Sequence, residues 1–316
     1  MLPIPNSLSN GKTVYESEDE GGITMKKEIS GTFAPITTPF LNEEVSIEHL
    51  KANIRKYRET PLSGFFVLGS NGENKSLTEG EKLKIIEGVL QEKSETQMVM
   101  AGTGYESTRQ TIVFSKQVAE LGINFVSLLT PSYFKKRLTD DAMIRFYTDV
   151  ADALPIPVLI YNAPGFTGVT ISPKAIETIS KHPNIIGMKD TSPDGIGQYL
   201  EVCDKNFYIL SGTINTLFTG LVLGASGGVV SLANAFPHPC CDLYERVKKG
   251  DMEGSRKLHF KLSHLNQFIS GRFGVGGVKF AMEVAGFYGG LPRLPLLPLK
   301  DSEKELIREA IAQAGL

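Results

Sequence analysis

Cysteine is scarce. Cys203, Cys240 and Cys241 are the only three in 316 residues, too few for a disulfide framework and suited to a reducing compartment, so a cytoplasmic location is expected. Charge of one sign is not in excess either: Lys+Arg 33 against Asp+Glu 35 leaves a net charge of −2, which argues against a nucleic-acid partner. An uninterrupted membrane-length apolar run is also missing. Residues 206–241 carry no Asp, Glu, Lys or Arg, but Ser211-Gly212, Gly224, Ser226-Gly227-Gly228 and Asn234 break the stretch. Two short buried strands with a helix between them are expected there, and no membrane association. Residues 1–24 have neither the basic and apolar regions of a signal peptide nor the Arg-rich character of a transit peptide. They are expected to form a disordered or non-native tail, with Met25 as an alternative start, since Glu20-Gly21-Gly22 can be encoded by a ribosome-binding sequence.

Several site signatures are absent. His49, His182, His238, His259 and His264 are scattered, and His259 and His264 do not have the i,i+4 spacing that sets two ligands on one helix face. Cys240 and Cys241 are adjacent, without a CxxC partner. No GxSxG elbow occurs and no strand is followed by GxGxxG. Lys75-Ser76 would suit a P-loop, but Asn74 stands where that loop needs glycine. Neither a metal nor a cofactor is expected.

Repetition is what the chain does have. With 41% hydrophobic and 22% charged residues there is ample material for a core. Eight short, continuously apolar runs recur: Phe33–Ile36, Gly64–Leu68, Met98–Ala101, Phe125–Leu129, Val158–Tyr161, Ile185–Met188, Tyr208–Leu210 and Gly228–Val230. Amphipathic helices are expected to start near Ser46, Thr78, Ser107, Thr139, Ser172, Pro193, Thr213 and Phe236. N-cap chemistry marks Ser46 with Glu48, Thr78 with Glu81, and Ser172 before Pro173. Runs of this kind suit strands buried on both faces, and eight such units predict a (β/α)8 TIM barrel over residues 25–250. A C-terminal helical extension over 251–316 follows, with Pro292, Pro295 and Pro298 in an irregular connection. An open doubly wound sheet is the alternative.

Barrel chemistry belongs at the C-terminal strand ends. After the second run, Gly69-Ser70-Asn71-Gly72-Glu73 could turn backbone N–H groups inward as an oxyanion nest, or be a plain tight turn. Tyr161 closes the fifth run, where a phenol could shuttle a proton or simply cap the core. Lys189 follows Ile185-Ile186-Gly187-Met188 directly, so it is either a desolvated nucleophilic amine or a snorkelling strand-end lysine. The residues alone leave each pair of readings open.

Taken in order, the pattern resembles the pyruvate-dependent class I aldolases and lyases of the dihydrodipicolinate synthase and N-acetylneuraminate lyase superfamily. The similarity runs from residue 30 to about 300. It is carried by Gly69-Ser70-Asn71-Gly72-Glu73, Ala101-Gly102-Thr103-Gly104, Thr130-Pro131-Ser132-Tyr133, Tyr161-Asn162-Ala163-Pro164, Gly187-Met188-Lys189-Asp190 and Gly224-Ala225-Ser226-Gly227-Gly228. The resemblance implies that Lys189 is the Schiff-base lysine and Tyr161 the proton shuttle. It implies that Tyr133 is a catalytic tyrosine reaching a neighbouring subunit's site, and that Ser70 and Asn71 hold the pyruvate carboxylate. Thr191, Gly212 and Val230 join them as substrate-binding residues. The implied assembly is a homotetramer built as a dimer of dimers, and the implied substrates are pyruvate with a small aldehyde or 2-oxo acid.

Within the superfamily the pattern is most similar to the 4-hydroxy-2-oxoglutarate aldolases. The lysine-biosynthesis enzymes have two threonines at Ser70-Asn71, and at Phe166 an arginine that the resemblance assigns to the carboxylate of aspartate semialdehyde. Thr191 stands where the oxoglutarate aldolases have serine. A 4-hydroxy-tetrahydrodipicolinate synthase, a sugar-acid aldolase, or a non-catalytic 2-oxo acid sensor on the same barrel are the alternatives.

Overall fold

A computed structural model of the chain describes residues 28–193 and 195–316. The expectations for residues 1–24 and for Met25 lie outside the described residues. Eight parallel strands form the framework: β1 (Gly31–Ala34), β2 (Gly64–Val67), β3 (Met98–Gly102), β4 (Phe125–Leu129), β5 (Val158–Asn162), β6 (Ile185–Asp190), β7 (Tyr208–Ser211) and β8 (Gly227–Val229). Each pairs with its neighbours in chain order, and β8 returns to β1, so the sheet closes and the open-sheet alternative is excluded. The long helices between them are α1 (Ile47–Arg58), α2 (Glu79–Glu92), α3 (Thr108–Glu120), α4 (Asp140–Asp152), α5 (Pro173–Ile179), α6 (Gly195–Val202), α7 (Ile214–Leu223) and α8 (Pro237–Lys248), with a single helical turn at Pro164–Thr167 after β5.

Closure separates two apolar layers. Phe33, Phe66, Met100, Leu159, Leu210 and Val229 fill the barrel interior, while a larger set packs between strands and helices. The period-2 alternation of a strand therefore decides which side chain reaches the mouth.

Local chemistry fixes most helix starts. Thr78 and Glu81 form the expected reciprocal capping box, and Ser107, Thr139, Ser172 and Thr213 each accept a backbone N–H. Ser46 sits at the N-cap of α1 but does not cap with its side chain; its hydroxyl meets His49 Nδ1 at 2.7 Å instead. The helix expected from Pro193 runs Gly195–Val202. A small antiparallel hairpin, Phe40–Leu41 against Glu44–Val45, was not expected. Its two-residue turn holds Asn42 and Glu43 at positive φ, a conformation that an Asn-Gly pair would have advertised and Asn-Glu does not.

Beyond the barrel lie α9 (Met252–Asn266), α10 (Arg272–Val284) and α11 (Asp301–Ala314). The segment between α10 and α11 is irregular and carries Pro292, Pro295 and Pro298, as the prolines lead one to expect.

Candidate active site

Strands β5 and β6 bring the first pair of groups together. Tyr161 and Lys189 are register partners at the C-terminal ends of these strands. Both face inward: Lys189 Nζ lies 4.3 Å from the Tyr161 ring centroid and 4.9 Å from that of Phe66. Phe66 in turn meets Tyr161 edge-on at 5.5 Å. Lys189 is 5% exposed. Burial lowers its amine below the ordinary lysine value, with the Tyr161 hydroxyl pulling the other way. Among the described residues no carboxylate pairs with it. An amine held in this way is nucleophilic toward a carbonyl without needing a strong base.

The loop after β2 supplies the second group. The Ser70 hydroxyl is 3.3 Å from the Tyr161 hydroxyl. Asn71 Nδ2 donates to Ser231 Oγ at 2.8 Å, which ties this loop to the segment after β8. The loop is bounded by two non-glycine residues in the left-handed region, Leu68 at φ 56° and Glu73 at φ 53°. A cavity of about 300 Å³ opens beside it, lined among others by Phe66, Ser70, Glu73, Tyr161, Phe166 and Leu296.

The remaining expected residues are placed less uniformly. Thr191 follows β6, half-buried, with its hydroxyl donating to the Asn162 carbonyl at 3.2 Å. Gly212 packs so closely that a Cβ would stand 2.2 Å from Thr191 Cγ2, and its N–H donates to the Asp190 carbonyl. Val230 does not point into the barrel. Its side chain belongs to the outer layer, Val229 taking the interior position, and its N–H and C=O already bond Phe33 O and Ala233 N. The side chain of Val230 thus packs away from the barrel interior. Tyr133 is 80% exposed, outside the cavity of its own chain, on a loop anchored by Glu106 at the Ser132 and Tyr133 N–H groups. Phe166, 71% exposed, stands at the cavity rim.

One supporting network was missed. A residue beyond the inward pair, Asn162 and Asp190 are register partners facing outward. Asn162 Nδ2 donates to Asp190 Oδ1 at 2.7 Å and to the Tyr199 hydroxyl at 3.1 Å, while Ser192 Oγ donates to both Asp190 oxygens. Burial raises the Asp190 carboxyl above the ordinary range, and the Ser192 and Asn162 hydrogen bonds oppose this. The network locks the two strand ends that carry Tyr161 and Lys189. The signal was there: alternation turns the residue after each inward group outward.

A closed parallel barrel whose mouth holds a buried amine beside a phenol and a glycine-bracketed turn has the layout of a class I aldolase. The chain belongs to the Dihydrodipicolinate synthetase family, whose model matches residues 28–314. It is thus an enzyme of the lysine Schiff-base lyase and aldolase class. It is 33% identical over 290 residues to a 4-hydroxy-tetrahydrodipicolinate synthase of Methanospirillum hungatei, covering 90% of this chain and 98% of that one. The dihydrodipicolinate synthase of Thermotoga maritima superposes with a TM-score of 0.87 at 28% identity, over 92% of this chain and 99% of the other. That of Acinetobacter baumannii, solved in complex with pyruvate, gives 0.86 at 28%, over 91% and 99%. These relatives bear out the superfamily, but they carry the name of the synthase alternative and not that of the 4-hydroxy-2-oxoglutarate aldolases. Among the described residues no helix is long and apolar enough to cross a membrane.

Proposed function

We propose that this chain joins pyruvate to an aldehyde, or releases it from one, through an imine on Lys189. The observation that carries the reading is the Lys189 amine, buried beside Tyr161 with no carboxylate paired to it among the described residues. The amine attacks C2 of the 2-oxo acid and water leaves, forming an iminium. In cleavage the C3–C4 bond breaks, its electron pair enters the iminium as an enamine, and the aldehyde departs. The enamine is protonated at C3 and water releases pyruvate; condensation is the reverse. Tyr161 moves the proton at the C4 oxygen, with Ser70 as its hydroxyl partner at 3.3 Å. Backbone N–H groups of Ser70 and Asn71 receive the C1 carboxylate, so the reacting carbon is positioned over the amine. Tyr133 serves a second copy's site within a homotetramer, for which its exposure on a fixed loop is the support.

Two readings of the aldehyde compete. The shared name of the relatives supports aspartate semialdehyde, giving 4-hydroxy-tetrahydrodipicolinate. The second rests on Phe166. A phenyl ring at the rim cannot pair, as a guanidinium would, with the carboxylate that aspartate semialdehyde extends two carbons beyond that of glyoxylate. The shorter glyoxylate, its polar contacts supplied by Asn71 and Thr191, thus favours cleavage of 4-hydroxy-2-oxoglutarate. Pyruvate with borohydride should leave a reduced pyruvyl group on Lys189 by peptide mapping; label on an exposed lysine, or full activity in Lys189→Ala, would sink the imine. The kcat/KM of condensation against that of cleavage, in one preparation, assigns the aldehyde.

A further inference from the structure

Glu73 closes the nest loop, and its side chain leaves the barrel for the C-terminal extension. Its N–H donates to the Ser70 carbonyl at 3.1 Å. Its Oε1 lies 2.6 Å from Lys279 Nζ of α10, with side-chain exposures of 2% and 0%. Its Oε2 accepts the Arg293 backbone N–H at 2.8 Å. Lys279 also donates to the Leu291 carbonyl at 2.9 Å and stands 4.4 Å from the Phe40 ring centroid. The Arg293 guanidinium covers the same ring at 4.4 Å and reaches Glu81 and the Ser76 carbonyl.

Stability is a poor reason for such a pair. Two charges taken wholly out of water cost several kcal/mol each, and well-packed apolar residues of similar volume often do as well or better. What the pair adds is geometric. A left-handed glutamate and a left-handed leucine bracket the nest, and a side chain there disfavours φ above zero by roughly 1–2 kcal/mol per residue. Freed of its tether, Glu73 can relax toward negative φ. The turn it closes on Ser70 would then open, and the N–H groups of residues 70 and 71 that are proposed to receive the carboxylate would shift with it.

We propose that Glu73 and Lys279 are positioning residues for the carboxylate nest, so that the C-terminal extension sets how tightly the 2-oxo acid's carboxylate is held. The inference rests on the imine reading above. It differs in what it moves: carboxylate recognition is affected and the amine is not.

Glu73→Gln keeps the shape and removes the charge. Glu73→Gln with Lys279→Met removes both charges and so avoids a buried lone ammonium. Each is compared with the wild-type enzyme by its KM for pyruvate, its kcat, and its rate of borohydride trapping with pyruvate and with acetone, a ketone lacking the carboxylate. The expected result is a KM for pyruvate raised about tenfold or more, a smaller fall in kcat, and a pyruvate-to-acetone trapping ratio lowered by a similar factor, with acetone trapping little changed. An unchanged ratio in a folded variant would overturn the proposal. So would equal loss with both ketones, the mark of general disruption. Absence of any adduct on wild-type Lys189 would overturn the imine reading itself, and this inference with it.

Discussion

Tyr161 and Lys189 are register partners on adjacent strands, and the lysine ammonium lies 4.3 Å from the tyrosine ring centroid. A single register thus delivers a buried amine and a phenol to one point, while their successors Asn162 and Asp190 bind each other on the other face of the sheet. The geometry has a consequence in pH. Burial lowers the Lys189 amine below the ordinary lysine value, so the neutral, attacking form becomes abundant at a lower pH than for an exposed lysine. The rate of imine trapping on Lys189 should rise with pH and level off below the range in which ordinary lysines titrate. A rate still climbing through that range would show a fully hydrated amine.

Removing one oxygen tests the phenol. Tyr161→Phe keeps the ring that packs edge-on against Phe66 and loses only the hydroxyl that meets Ser70. Its melting temperature should stay close to wild type while kcat falls by roughly 10²–10⁴, the scale of a lost general acid–base. Near wild-type turnover would remove Tyr161 from the proton path.

How much of this could be read beforehand follows from the same alternation. Tyr161 and Lys189 each close an apolar run, and Ser70-Asn71 sit between glycines, so the placement of these groups at strand ends was legible. The outward face of Val230 was not, because Gly227 and Gly228 leave Val229 as the one side chain of its strand to show which way is inward. Nor was the role of Glu73. Its partner Lys279 lies on a helix outside the barrel, and a local pattern cannot register a contact between segments so far apart in the chain. The hairpin at residues 40–45 was hidden by a turn that lacks the usual glycine.

Acid should expose the Arg293 clamp. The Arg293 guanidinium, helped by the Thr78 N–H and hydroxyl, holds the Glu81 carboxyl down at about 2 from an ordinary 4.5, against the effect of burial. A carboxyl whose folded pKa is depressed adds stability that is present above its unfolded value and lost as pH falls through its folded value. The unfolding free energy of wild type should therefore exceed that of Arg293→Gln at neutral pH, and the gap should narrow by about 1 kcal/mol or more as pH falls from 4.5 toward 2. Part of the gap should persist, since the bonds from Arg293 to the Ser76 and Glu43 carbonyls do not titrate. Urea unfolding at stepped pH measures this; a gap constant with pH would show that Glu81 is not coupled to Arg293.

Replacing the rim residue tests the proposed choice of aldehyde. Phe166 opens onto the cavity that Ser70 and Tyr161 line. The carboxylate of aspartate semialdehyde, reaching farther out than that of glyoxylate, would meet a phenyl face there, and leaving it poorly satisfied in a partly dry site costs roughly 1–3 kcal/mol. At 1.4 kcal/mol per decade that is about 10- to 100-fold in kcat/KM. Phe166→Arg restores a fork able to take the carboxylate through two bonds. Its kcat/KM for aspartate semialdehyde should rise by about that factor, while pyruvate trapping on Lys189 stays as in wild type, because Phe166 is at the exposed rim and the Lys189 amine is buried. If wild type already condenses semialdehyde tenfold faster than it cleaves 4-hydroxy-2-oxoglutarate, and the arginine adds nothing, a different cation serves that carboxylate. Lys75, which also lines the cavity, and Lys135, whose Nζ approaches Gly168 beyond the Phe166 turn, are then the side chains to replace next.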